Sequence, residues 1–146
     1  MIRISIYLVI SLISIYLISI SSPEPSVTSG GGNPAIILYI PSIIFIILFF
    51  KGLWTKLDCI TSRNIWIGTL IIFIFTSILF TYLQYIHIKT TIIALGGSPS
   101  NEESMIYRFT WFNQYTNTFF LNFNIFIILL SILLVVKSAM NILKVK

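Results

Sequence analysis

Charge is what this sequence has least of. Only 9% of its 146 residues are charged and 57% are hydrophobic, whereas a soluble domain carries roughly a quarter charged residues. A chain this short leaves much of its surface outside any core it forms. The apolar excess therefore needs an apolar environment, and lipid supplies one.

Other scarcities exclude whole classes of chemistry. Cys59 is the single cysteine, so no intrachain disulfide forms. The single histidine, His87, lies on a different segment, and no ligand set for zinc or haem is spaced along the chain. Cys59 reads as a free thiol near a membrane surface. Phosphate loops, dinucleotide fingerprints, nucleophile elbows and HExxH helices are absent. No catalytic residues, cofactor or metal are therefore expected. Basic residues do not cluster on one face with aromatic platforms, which excludes nucleic acid as a partner. Alanine occurs only at Ala35, Ala94 and Ala139, while isoleucine is over-used. That bias fits an AT-rich genome and makes isoleucine a poor strand marker, so run length has to decide between helix and strand. Tight GxxxG helix crossings are excluded by the absence of the motif.

Four long apolar runs remain: Ile4 to Ile20, Ala35 to Phe50, Ile65 to Ile86 and Phe119 to Val136. None contains an acid, lysine or arginine. A helix needs about 20 residues to cross a ~30 Å hydrocarbon layer, and a charge at its centre costs at least ~2.5 kcal/mol. Barrel strands would alternate polar and apolar residues, and the stretch Ile43 to Phe50 does not alternate. The sequence thus predicts an all-α integral membrane protein, one membrane domain over 1–146. It would be an antiparallel bundle of four transmembrane helices at about 4–20, 35–53, 65–86 and 119–137. Outer loops then cover 21–34 and 88–118, and a cytoplasmic loop covers 54–64. Pro23, Pro25 and Gly30 to Gly32 make the first of these loops a helix breaker. Residues 1–22 also fit a secretory leader with Arg3 in front, but the apolar run exceeds the usual 7–15 residues, and it is read as a span.

Arg3, Lys51, Lys56, Arg63, Lys137, Lys144 and Lys146 fall on one side of this arrangement, and only Lys89 and Arg108 on the other. The positive-inside rule then places both termini in the cytoplasm. The composition is read as that of a bacterial cytoplasmic membrane protein, with an organelle membrane as the alternative.

Three features stand out as candidate functional elements. Polar residues recur on single helix faces as packing stripes: Tyr7, Ser11 and Ser14 in the first span, Ser77 and Thr81 with Gln84 in the third, and Ser131 and Ser138 in the fourth. The second span, with only Pro41 and Ser42, is expected to show most of its surface to lipid. Gln84 and His87 close one span at the depth where Asn122 and Asn124 open the next. These four form a candidate outer polar cluster, with His87 as a proton-sensitive element. Finally, the segment Gly96 to Thr118 reads as an aromatic-rich amphipathic helix at the outer interface. Ser100 and Glu103 would be its capping box, and Met105, Phe109, Trp111, Phe112 and Tyr115 its docking surface. Trp54 and Trp66 read as interfacial belt residues.

The function expected from this pattern is that of a small non-enzymatic membrane protein acting through protein–protein contacts, as an accessory or assembly subunit. Its partners would be membrane lipids and another membrane protein or a second copy. The alternatives are an oligomeric transporter or channel component, which would use Ser77, Thr81 and Gln84, and a membrane enzyme on lipid-linked substrates, which would use His87, Glu102, Glu103 and Arg108.

Overall fold

Why the apolar runs become helices is a matter of backbone hydrogen bonding. Each run is too long for an ordinary strand and carries no pattern that a two-sided sheet requires. A computed structural model of the chain describes residues 2–24 and 32–144. It is all-helical, with no strand among the described residues. Four helices are long and apolar enough to cross a membrane. They are α1 (Ile2–Ile20), α2 (Ile36–Lys56), α3 (Arg63–Ala94) and, after two short helices α4 (Met105–Phe109) and α5 (Asn117–Phe120), α6 (Phe123–Lys144). Most of the Pro- and Gly-rich loop expected between the first two spans lies outside the described residues.

α1 packs mainly on α2, and α3 mainly on α6. The main core joins α1, α2 and the start of α6 through Ile15, Ile18, Ile46, Phe49 and Phe126. Phe126 stacks against both Phe49 and Phe50, at centroid distances of 6.0 and 5.9 Å. Pro41 removes one donor from the helix ladder, yet α2 runs through it.

The most exposed span is not the expected one. Ser42, Ile46 and Phe49 of α2 are buried. Of the 32 residues of α3, only Trp66 and Gln84 are buried. The reason lies in the packing arrangement. α2 is covered by α1 and touched by α6, whereas α3 has α6 as its one extensive neighbour. Trp66 is also not a belt residue: it is 1% exposed, with its indole N–H donating to Ile60 O at 3.1 Å.

α3 also outruns its apolar segment. It continues past Ile86 to Ala94, through residues that the sequence places in the outer loop. Thr90 and Thr91 return their hydroxyls to carbonyls of the preceding turn, Thr90 to Ile86 O at 2.9 Å and Thr91 to His87 O at 2.8 Å. Nothing there opposes the helix until a glycine pair. Gly96 and Gly97 have φ of +88° and +105°, a conformation that glycine adopts without steric cost. Gly97 N–H bonds Ile92 O at 2.9 Å and Gly96 N–H bonds Ile93 O at 3.2 Å, closing the helix as a Schellman motif. At ~1.5 Å per residue, α3 is about 48 Å long, well beyond a ~30 Å hydrocarbon layer.

Candidate functional site

The end of the molecule where α3 stops and α6 starts holds most of the long-range polar contacts. Gln84 is 6% exposed on α3. Its side-chain oxygen accepts from Asn122 Nδ2 at 2.7 Å and from Asn124 Nδ2 at 3.3 Å. Its amide nitrogen donates to the carbonyls of Thr118 and Phe119, at 3.3 and 3.4 Å. Asn122 Oδ1 in turn accepts the Ile125 N–H at 2.9 Å, capping the first turn of α6. His87 stands one turn beyond Gln84. Its Nε2 lies 2.9 Å from Thr118 Oγ1, and its ring meets Phe119 edge-on at 6.3 Å. A shallow pocket of about 300 Å³ opens there, lined by Ser19, His87, Thr118, Asn122, Phe123 and Asn124. The structure therefore brings the four predicted polar residues to one place. Gln84 ties the two asparagines directly, and His87 joins through Thr118.

Two of the strongest links at this end had no signal in sequence. Asn117 is fully buried. It forms a reciprocal amide pair with Asn33, at 2.7 and 2.8 Å, across 84 residues of chain. Its carbonyl accepts the Tyr39 hydroxyl at 2.5 Å, and its amide also donates to Gln114 O at 3.1 Å. Asn117 thus fixes the start of α2 to the segment leading into α6.

The expected amphipathic helix over Gly96 to Thr118 is a correction. Only α4 and α5 are helical there, joined by a folded turn. Ser104, rather than Ser100, caps α4, its hydroxyl accepting the Ile106 N–H at 3.1 Å. Ser100 pairs with Ser98 instead. Side-chain hydrogen bonds compete with the helix ladder in the turn. Asn113 Nδ2 donates to Thr110 O at 2.7 Å, Asn113 Oδ1 accepts Tyr115 N–H at 2.8 Å, and Thr116 Oγ1 donates to Trp111 O at 2.6 Å. Thr110 is held at φ 70°, ψ 175°, a region otherwise occupied almost only by glycine. Of the predicted docking residues, Tyr115 is buried and Met105 half-buried, both packed in a small cluster with Leu95 and Ile106. Phe109, Trp111 and Phe112 are exposed, as is Tyr107. The ring of Phe112 sits 5.3 Å from those of both Tyr39 and Phe120.

The packing stripes divide. Ser11, Ser14, Ser131 and Ser138 are buried and Tyr7 is half-buried, but Ser77 is only half-buried and Thr81 faces outward. Thr81 falls on the side of α3 that no helix covers. Ser11 donates to its own helix, at Tyr7 O, 2.7 Å away. The hydroxyls of Ser131 and Ser138 are fully buried without a hydrogen-bond partner.

At the opposite end, Lys137 is 2% exposed. Its ammonium lies 2.5 Å from Asp58 Oδ1 and 4.4 Å from the centre of the Trp54 ring. The sequence marks Lys137 as a topology signal and Trp54 as a belt residue; the fold joins them, with Asp58, in one contact. Among the described residues, His87 shares no hydrogen bond or ion pair with Glu102, Glu103 or Arg108, and those three are exposed. No family model, curated protein or solved structure matches the chain.

Proposed function

We propose that the chain is a four-span antiparallel bundle of the bacterial cytoplasmic membrane, with both termini in the cytoplasm, and that it works by binding another membrane protein. The helix lengths, the outward isoleucines of all four spans and the exposed Phe75 and Phe123 support the membrane-crossing part of this reading. Water would have to cover Ile37, Ile40, Ile72, Phe75 and Ile78, each well exposed, at a cost of roughly 25 cal/mol per Å² of apolar area.

The observation that carries the second half is α4 with the turn that follows it. α4 exposes Tyr107 and Phe109 and the turn exposes Trp111 and Phe112, while Asn113 and Thr116 staple the turn's backbone. An interfacial anchor needs only aromatic side chains at the right depth. Holding them on an ordered backbone reduces the entropy lost on docking, and tryptophan and tyrosine are the residues that most often carry binding energy.

The test is migration after gentle solubilisation of native membranes. The wild-type chain is expected in a discrete larger assembly. A Tyr107→Ser, Phe109→Ser, Trp111→Ser variant, which leaves the stapling hydrogen bonds in place, is expected to run as the isolated chain while remaining membrane-bound. If both run as the same isolated chain, the docking function is wrong.

A further inference from the structure

At the end remote from the amide network, a groove of about 580 Å³ lies between the start of α1 and the end of α2. The helix period explains its lining. Leu48, Lys51, Gly52, Thr55 and Lys56 stand at positions i, i+3, i+4, i+7 and i+8 and share one face of α2. Ile4 and Tyr7 of α1 form the opposing wall. Gly52 permits the approach, since a Cβ there would stand 2.9 Å from Ile4 Cγ1. The groove is thus apolar along Ile4, Tyr7 and Leu48, and cationic at Lys51 and Lys56.

The charge balance of this end sharpens the point. Asp58 is the carboxylate nearest in sequence, and Lys137 holds it. Among the described residues, Lys51 and Lys56 have no ion-pair partner, and both are exposed. Two uncompensated ammonium groups above a hydrocarbon-lined groove, at the end of a membrane-length helix, match one kind of ligand: an amphiphile with an anionic head and an acyl tail.

We propose that this groove binds one anionic phospholipid, with its phosphate at Lys51 and Lys56 and an acyl chain along Ile4, Tyr7 and Leu48. The proposal rests on the reading that these helices cross a bilayer. It assigns the lipid a fixed place on the α1–α2 pair rather than a diffuse attraction to a basic surface, and it gives Gly52 the role of keeping the floor of the groove clear.

Native mass spectrometry of the full chain in neutral detergent tests it, with equimolar phosphatidylglycerol and phosphatidylcholine added. One phosphatidylglycerol per chain is expected to be retained over phosphatidylcholine by about tenfold or more, as two lysines near a headgroup imply. Lys51→Gln with Lys56→Gln is expected to bring that preference close to one. Gly52→Leu, which fills the groove at constant charge, is expected to lower occupancy by both lipids. Arg63→Gln with Lys144→Gln removes the same charge elsewhere and is expected to leave the preference intact. Equal retention of the two lipids overturns the proposal, as does an equal loss in both charge-matched double variants. Displacement of the lipid by soluble glycerol phosphate would make this a simple anion site and overturn it as well. Recovery of the chain from an aqueous extract without amphiphile would instead refute the membrane reading beneath it.

Discussion

The two ends of the helix bundle are fastened by different chemistry. One end uses neutral amides: Gln84 between α3 and α6, and the Asn33–Asn117 pair between the two halves of the chain. The other uses ions, with Lys137 buried against Trp54 and Asp58, and with free lysines beside them. Neutral amides cost less to desolvate than charges and can be satisfied completely by one another. The buried ammonium of Lys137 is tolerable because Asp58 remains more than half exposed and can share its field with solvent. The amide end therefore fixes geometry, while the ionic end retains a surface that responds to charge.

The largest effect expected from breaking this contrast is at Asn117. Asn117→Ala leaves the Asn33 amide without its partner and removes the bond to Gln114. A buried group left unpaired costs about 1–3 kcal/mol, so a loss of about 3 kcal/mol is expected in detergent unfolding, unchanged between low and high salt. A loss that shrinks with salt would show that charge, not amide pairing, holds this end.

The ionic end should behave in the opposite way. Asp58→Asn removes the counter-charge of a buried ammonium. With Asp58 so exposed, the loss is expected near about 1–2 kcal/mol, below the figure for fully buried pairs. Adding Lys137→Met should recover most of it, because the double variant buries no unpaired charge. Failure of the second substitution to recover stability would mean that Lys137 contributes mainly by packing on Trp54.

The smallest effect sharpens the comparison from within the amide end. Thr110 is the one non-glycine residue at positive φ among the described residues, and such a conformation costs on the order of 1–3 kcal/mol. Thr110→Gly is expected to raise stability by about 1 kcal/mol, after the entropy that glycine loses on folding. If it lowers stability, the turn is not strained and the threonine side chain contributes more than its backbone costs.

Much of the fold was legible because run length is a local property. The starts of α1 and α2 fall within two residues of the apolar runs that predicted them. Depth reasoning also put Gln84, His87, Asn122 and Asn124 at one level. What misled was pattern without competition. Met105, Phe109 and Phe112 recur at helical spacing, but Asn113 and Thr116 offer the backbone better partners than the next helical turn. α3 stops at Gly96 and Gly97, whereas the apolar run that predicts it ends earlier, at Ile86, and the helix does not need that run to continue.

By itself, the sequence determined that four long helices form, apolar enough to cross a membrane, and that the chain carries few charged groups to do chemistry. Those facts follow from composition over neighbouring residues. Only the tertiary structure decided that α3 rather than α2 is the exposed span. It also decided that Asn33 meets Asn117 across 84 residues and that Lys137 meets Asp58 across 79. Helix periodicity gives each residue a face but not a neighbour. Which face meets which partner depends on how the four helices fit together, and side chains far apart in sequence make that choice.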